Sequence, residues 1–395
     1  MKYIRLCIAA CSWWLVSCGS PSYVCENNET ANGPDKDTSP DLSVESQTQA
    51  AKKAAKTKDS SQNDEKEPVS STTPWLTTKK NKIYLDNGKI FRGRGANIFD
   101  TRSCNACTWT PPNVKEVKRR IDLLVDDWKA NFIRLNLESY PSAQGRYHFG
   151  GVLEDASYLK DIVEILTYIG SKTGVYVVVS LWTEPTVNDK GWPTPKTIPV
   201  WEKLTTELAH MPHVLFGICN EPKGNDSGSQ DKNVWDIMNK IVEAIRAAEK
   251  KAGSPNHIIA VQGTRNWSRY LGYYVENPIT AGNGKNIVYE THSYLRPSEF
   301  SKNWLDPAKK IPVIIGEFAP YDKSWGKMTE EDTIQLMDDA EKRDIPWLAW
   351  SFHMRCAPNL IQDNSGGGCG IGMELVPTDW GNIVRDRLNK PWKTQ

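Results

Sequence analysis

From about residue 95 onward the chain alternates, eight times, between a short apolar run rich in Val and Ile and a longer stretch with helical period. The apolar runs fall at 95–99, 131–137, 175–181, 214–219, 257–262, 286–290, 313–318 and 347–352. Helical period marks 114–128, 156–169, 200–209, 233–251, 333–342 and 380–388 between and after them. Runs without polar alternation, such as 176–179 and 312–315, belong to strands covered on both faces, which is the condition of a parallel sheet wrapped by helices. Eight such units predict an α/β chain folded as a (β/α)8 TIM barrel with enlarged loops. A doubly wound open sheet competes, but no glycine-rich phosphate loop follows an early strand. Ahead of the barrel, 83–85 and 90–91 read as two short strands around the turn Asp86, Asn87 and Gly88, a hairpin able to plug one barrel end.

The N-terminus reads differently. Lys2 and Arg5 precede an apolar run at 6–16 that is too short to span a bilayer but has the length of a signal-peptide core. The run closes on Leu15, Val16, Ser17 and Cys18, which resembles the cleavage and acylation signal of bacterial lipoproteins. On that reading 1–17 is removed, Cys18 is lipidated, and the protein is exported and anchored to a bacterial membrane or cell surface. Residues 18–74 are dominated by Ser, Thr, Asn, Gln, Lys, Asp and Glu, with nothing to offset the entropy of ordering, and form a disordered tether. The folded body is then 75–395.

Charge narrows the partners. With 49 basic against 48 acidic side chains the net charge is +1, so no long-range attraction draws the chain to phosphate backbones, and nucleic acid is excluded as a partner. Trp (16) and Tyr (14) outnumber Phe (8), a balance that suits stacking on flat apolar sugar faces. No heptad or exposed apolar stripe asks for a second subunit, which points to a monomer.

Chemistry in such a barrel lies at the C-terminal ends of the strands. Asn220 and Glu221 follow the fourth apolar run in FGICNEP, and Glu317 ends the seventh in PVIIGEF. Two carboxylates placed so can face each other across the mouth. At a separation of about 5 to 5.5 Å one attacks an anomeric carbon while the other protonates the leaving oxygen, giving retention; a gap of about 6.5 to 9.5 Å admits water and gives inversion.

Residues 92–388 resemble glycoside hydrolase family 5, the cellulase-type retaining enzymes. Asn220, Glu221 and Pro222 match the family's Asn-Glu-Pro signature, and the resemblance makes Glu221 the acid/base and Glu317 the nucleophile. It further implies that Arg134 in FIRLNL keeps Glu317 ionised and that Asn220 holds the hydroxyl beside the anomeric carbon. In YETHSY, His292 lines the cleavage subsite near Glu221 and Tyr294 orients Glu317; Trp350 in AWSF is the platform under the reacting sugar. One position departs: where many members carry a histidine after the third strand, this chain reads VVVSLWTEP and places Trp182, either an added stacking surface or barrel-top packing. Trp192 and Trp267 are further platform candidates and Trp304 a weaker one, whereas Glu138 and Glu184 read as loop residues.

The resemblance implies a retaining endo-β-1,4-glycanase, foremost an endoglucanase on β-glucan, with no cofactor and no catalytic metal. Mannan, xyloglucan or transglycosylation on the same scaffold are alternatives, and a non-catalytic polysaccharide-binding surface protein is the reading from another class. Cysteines divide by position. Cys219 reads as a small buried hydrophobe. Cys104 and Cys107 follow the first barrel strand, Cys356 and Cys369 the last, and barrel closure makes those loops neighbours. Export favours two disulfides over a structural zinc; pairing within each loop and pairing across the loops both remain open.

Overall fold

The structure is a computed structural model that describes residues 73–103, 107, 110–138, 151–182, 191–323 and 326–393. The signal segment, the lipidation candidate Cys18, all but the end of the tether, Cys104 and Glu184 lie outside the described residues. Strands β1 (Leu76–Lys79) and β2 (Lys82–Leu85) come first. The barrel strands are β3 (Arg94–Phe99), β4 (Phe132–Glu138), β5 (Tyr176–Trp182), β6 (Val214–Gly217), β7 (Ile259–Gln262), β8 (Ile287–His292) and β9 (Val313–Glu317), and a ribbon of β10 (Tyr321–Lys323) and β11 (Gly326–Met328) precedes the last, β12 (Trp347–Ala349). All eight barrel strands are parallel, and β12 closes onto β3. The expected (β/α)8 TIM barrel is therefore the observed fold.

Helices α1 (Val114–Asp122), α2 (Ala156–Gly170), α3 (Thr197–Leu208), α4 (Asp231–Ala252), α5 (Gly272–Glu276), α6 (Pro297–Phe300), α7 (Glu330–Glu341) and α8 (Asp379–Leu388) surround it. Local chemistry fixes their ends. Asp155 accepts from the Ser157 and Tyr158 amides to start α2, Thr329 and Asp332 form a capping box on α7, and Gly253 in the left-handed region ends α4. The long helix expected over 114–128 changes pitch at Leu123 and continues to Asp127 as a π-helical turn. No helix among the described residues is long and apolar enough to cross a membrane.

Alternation along the strands sorts two cores. Ile133, Leu135, Leu137, Val177, Val179 and Leu181 pack outward with the helices. Phe132, Tyr176, Val178, Leu215, Ala260, Val288, Ile314 and Leu348 face inward and meet Leu76, Ile83 and Phe91, so the N-terminal hairpin segment plugs the barrel floor. Further along the same inward faces the residues turn polar: Asn97, Arg134, Asn136, Gln262, Glu290 and His292 are all buried.

The plug differs in detail from its sequence reading. The turn is as expected, with the Gly88 amide donating to Leu85 O at 2.9 Å and Gly88 at φ 80°. Yet residues 90–91 contribute only a single bridge, Tyr84 to Ile90, and the main partner of β2 is β1, in antiparallel register. Residues 76–79 read Leu-Thr-Thr-Lys, with one large apolar side chain, so they carry no strand pattern until tertiary contact supplies it.

Candidate active site

The site sits where the polar layer of the barrel reaches its C-terminal mouth. Arg134, the third residue of β4, points inward above Phe132 and is fully buried. A buried guanidinium is costly unless its donors are met, and here the residues around it fill both terminal nitrogens. Nη1 donates to Asn97 Oδ1 at 2.9 Å, Asn136 Oδ1 at 2.9 Å and Glu317 Oε1 at 2.6 Å; Nη2 donates to Asn220 Oδ1 at 2.8 Å. Its Nε lies 2.9 Å from Glu290 Oε1 on β8.

His292, at the end of β8, faces the same carboxylates. Its Nδ1 lies 2.9 Å from Glu221 Oε1 and 3.4 Å from Glu317 Oε2, and its Nε2 lies 3.0 Å from Glu290 Oε1. The β8–β9 register shifts between Thr291 and His292, which sets His292 beside Glu317. Tyr294 completes the surround, its hydroxyl donating to Glu317 Oε2 at 3.1 Å. Carboxylate oxygens of Glu221 and Glu317 and a ring nitrogen of His292 all lie within 4.8 Å of one another. That falls in the short class of carboxylate separation, the one associated with retention.

Glu221 is 6% exposed and held at φ 50°, a left-handed conformation that a non-glycine residue adopts only when its surroundings impose it. Its amide donates to Gln262 Oε1 at 3.4 Å. Gly191, itself at positive φ, leaves room for the Glu221 carbonyl, since a Cβ there would lie 3.0 Å from that oxygen.

Burial dominates the electrostatics. It pushes the Glu317 carboxyl up to about 7; His292 and Arg134 pull against the rise, and the neighbouring Glu221 adds to it. Burial disfavours the charged imidazole of His292, but Glu317, Glu221 and Glu290 outweigh it and push the ring up to about 9. Burial would likewise raise Glu290, and Arg134 followed by His292 holds it below the usual carboxylate range. The donor atoms of Glu221, His292 and Glu317 are close enough to take a metal ion. Their cations are already supplied by the chain, because both ring nitrogens of His292 face carboxylates and Arg134 lies under Glu317.

The aromatic candidates separate. Trp192 and Trp267 both tie to the chain just after Glu221: the Trp192 indole N–H donates to Lys223 O at 2.8 Å and the Trp267 amide to Pro222 O at 3.1 Å. Trp350 is 1% exposed and forms floor beside Phe99, with ring centroids 5.5 Å apart. Trp182 ends β5 and meets the same Phe99 edge-on at 6.3 Å. Trp304 is fully buried against Phe300, with no face left for a sugar. Glu138 is not a loop residue; it is the last residue of β4 and is buried.

Cys107 and Cys369 are joined in a disulfide, so the bond crosses between the loops that follow β3 and β12. His353 lies 3.6 Å from Cys107 Sγ, but a bonded pair of sulfurs offers no thiolates for zinc. Cys356 is buried, and Cys104 lies outside the described residues, so the bond between Cys107 and Cys369 replaces pairing within each loop. Cys219 is fully buried, and burial pushes its thiol well above the usual range.

The sequence reading missed four residues: Asn97, Asn136, Gln262 and Glu290. For Asn97, Asn136 and Gln262 the signal was present as a polar residue at an inward position of an otherwise apolar strand.

A closed parallel barrel with two buried carboxylates facing each other at its C-terminal mouth defines the class: a (β/α)8 barrel with a paired-carboxylate site. The family model for cellulase (glycosyl hydrolase family 5) matches residues 86–355, and the chain belongs to that family. Among its relatives, an endoglucanase of Clostridium saccharobutylicum is 25% identical over 233 residues, covering 58% of this chain and 48% of its own length. Endoglucanase 1 of Ruminococcus albus is 23% identical over 305 residues, covering 66% of this chain and 71% of its own. The chain thus spans about half the length of the first of these relatives. The solved β-glucanase of Saccharophagus degradans shares the fold with a TM-score of 0.62 at 21% identity, covering 81% of this chain and 95% of that one.

Proposed function

We propose that the chain is a retaining endo-β-1,4-glycanase that hydrolyses β-glucan. The observation that carries this is the short separation of the Glu221 and Glu317 carboxylates, within 4.8 Å at their near oxygens. Arg134 and Tyr294 both donate to Glu317, which favours its ionised form as the nucleophile, and Glu221 is the proposed acid/base. In the first step a Glu317 oxygen attacks the anomeric carbon, the glycosidic C–O bond breaks, and Glu221 gives its proton to the departing oxygen. In the second, Glu221 takes a proton from water, whose oxygen displaces Glu317 from the same carbon and restores both groups. Asn220, fixed by Arg134 at 2.8 Å, is placed to meet the sugar hydroxyl beside that carbon. Trp350, Trp182, Trp192 and Trp267 are the proposed sugar contacts.

The names of the relatives support glucan as the substrate. The test is release of reducing sugar from carboxymethyl cellulose, mixed-linkage β-glucan, xyloglucan, glucomannan and galactomannan, with Glu221→Ala and Glu317→Ala as controls. Cleavage of the glucans, abolished in both variants, is the expected result; preferential cleavage of a mannan would move the substrate, and no cleavage would remove the reading. Export and anchoring through Cys18 belong to the same proposal, and loss of fatty-acid labelling in Cys18→Ala is the outcome expected for them.

A further inference from the structure

Glu290 is a third carboxylate inside the barrel, fully buried, and no part of the proposed two-step reaction uses it. A carboxylate placed there is costly, by several kcal/mol, unless it is paired and hydrogen-bonded. Its partners are Arg134, whose Nε lies at 2.9 Å, and His292, whose Nε2 lies at 3.0 Å. These same two side chains touch the two carboxylates of the proposed reaction, Arg134 meeting Glu317 at 2.6 Å and His292 meeting Glu221 at 2.9 Å. Opposite Glu290 the barrel wall has no side chain, because Gly316 occupies the one position where a Cβ would lie 2.0 Å from Glu290 Oε1. The wall is cut away where this carboxylate needs space.

We propose that Glu290 is a positioning residue that locks His292 as an imidazolium, donating to Glu221 from Nδ1 and to Glu290 from Nε2, and fixes Arg134 beneath Glu317. A neutral imidazole has one donor and one acceptor nitrogen. With Nε2 committed to Glu290, a neutral ring would turn its Nδ1 lone pair on Glu221 and draw that residue's proton inward, away from a leaving group. The negative charge of Glu290 makes Nδ1 basic enough to keep its own proton, so Nδ1–H occupies Glu221 Oε1 and the acid proton is left for the other oxygen. The groups facing His292 are Glu221 from the loop after β6, Gln262 from β7, Glu290 from its own strand, Glu317 from β9 and Arg134 from β4; the charge of Glu290 is also felt by the fully buried Cys219 thiol. Three carboxyls against two cations leave one proton over at charge balance, which is the number an acid/base needs before the first step.

The catalytic consequence rests on the glycanase reading, but the protonation state of His292 does not, and the two are measured separately. The full chain labelled with 15N-histidine, with His292→Gln to assign the signal, reports both ring nitrogens by NMR across pH 5 to 9. Wild type is expected to show His292 doubly protonated at pH 7. In Glu290→Gln the ring should titrate at least ten-fold more easily, one pH unit lower or more, with kcat on a soluble β-glucan oligosaccharide down about ten-fold or more and KM little changed. Glu290→Asp should recover part of both. A folded Glu290→Gln with His292 titrating as in wild type overturns the proposal. Should that variant not fold, wild type decides alone: a neutral His292 at pH 7 overturns it and an imidazolium supports it. Absence of glycan cleavage by wild type would remove the glycanase reading and leave the NMR result standing.

Discussion

Arg134 and Glu317 form an ion pair sealed from solvent, Nη1 to Oε1 2.6 Å, with side-chain exposures of 0% and 1%. The pair joins the second barrel strand to the seventh across the interior. Its geometry depends on a planar fork, because the same guanidinium also meets Asn97, Asn136, Asn220 and Glu290. A lysine ammonium keeps the charge but cannot reach partners in five directions.

Arg134→Lys is therefore expected to fold and to lose activity by about 100- to 1,000-fold, the usual scale for removing a fixed electrostatic contact at a reacting group. Circular dichroism and kcat/KM on a soluble β-glucan oligosaccharide check it. Activity within a few-fold of wild type would show that charge alone suffices at this position.

Two titrations set the pH dependence. Glu317 attacks only when ionised, and burial pushes its carboxyl up to about 7, so kcat/KM should rise as pH climbs through about 7. Stability should fall over the same range. Glu317 titrates at about 7 when folded against 4.5 unperturbed, so between these values the folded state holds a proton the unfolded chain has released. His292 titrates at about 9 against 6.5, so its contribution is complete below 6.5 and is lost as pH rises through about 9. Urea unfolding at pH 5 and pH 9 should differ by a few kcal/mol in favour of pH 5, on the scale of about 1.4 kcal/mol per pKa unit.

The barrel was legible because each strand, buried on both sides, had to be written in Val, Ile and Leu, and that demand leaves a mark in any window. The two facing carboxylates were legible where an acidic residue follows or ends an apolar run, as at Glu221 and Glu317. Glu290 was not, since nothing in YETHSY distinguishes an inward carboxylate from an exposed one until the register shift at His292 is known. The β1–β2 pairing was hidden for a related reason: Leu76 and Ile83 carry a two-residue apolar signal that gains meaning only against the barrel floor.

The bond between Cys107 and Cys369 spans 262 residues, from the first barrel strand's loop to the last's. Loops of that length gain most from closure in the chain-entropy view, and removal of such a bond typically costs about 2–4 kcal/mol. Cys107→Ser with Cys369→Ser should lower the melting temperature by several degrees and abolish the shift that a thiol reductant produces in wild type. An unchanged melting temperature would mean that the loops are held without the bond.

Gly316 offers the most local test of how the site is packed. It precedes Glu317 on β9, and Asn97 donates to its carbonyl at 2.9 Å, so the backbone there is anchored and has little freedom to retreat. A methyl group at this position would lie 2.0 Å from Glu290 Oε1 and 2.6 Å from its carboxyl carbon. One of the two must move. The strand is held on both sides by β8 and β12, so the carboxylate is the part that gives. Displacing it breaks its contacts with Arg134 and His292 together, which no single substitution at either cation does. Gly316→Ala is expected to lose at least ten-fold in kcat while changing far less in affinity for an oligosaccharide than Trp192→Ala or Trp267→Ala, because the methyl group is added below the sugar site and not in it. Isothermal titration of a non-hydrolysed oligosaccharide, set beside kcat, separates the two effects. Full activity in a folded Gly316→Ala would show that Glu290 has room to spare, and the cut-away in the wall would then need no carboxylate to explain it.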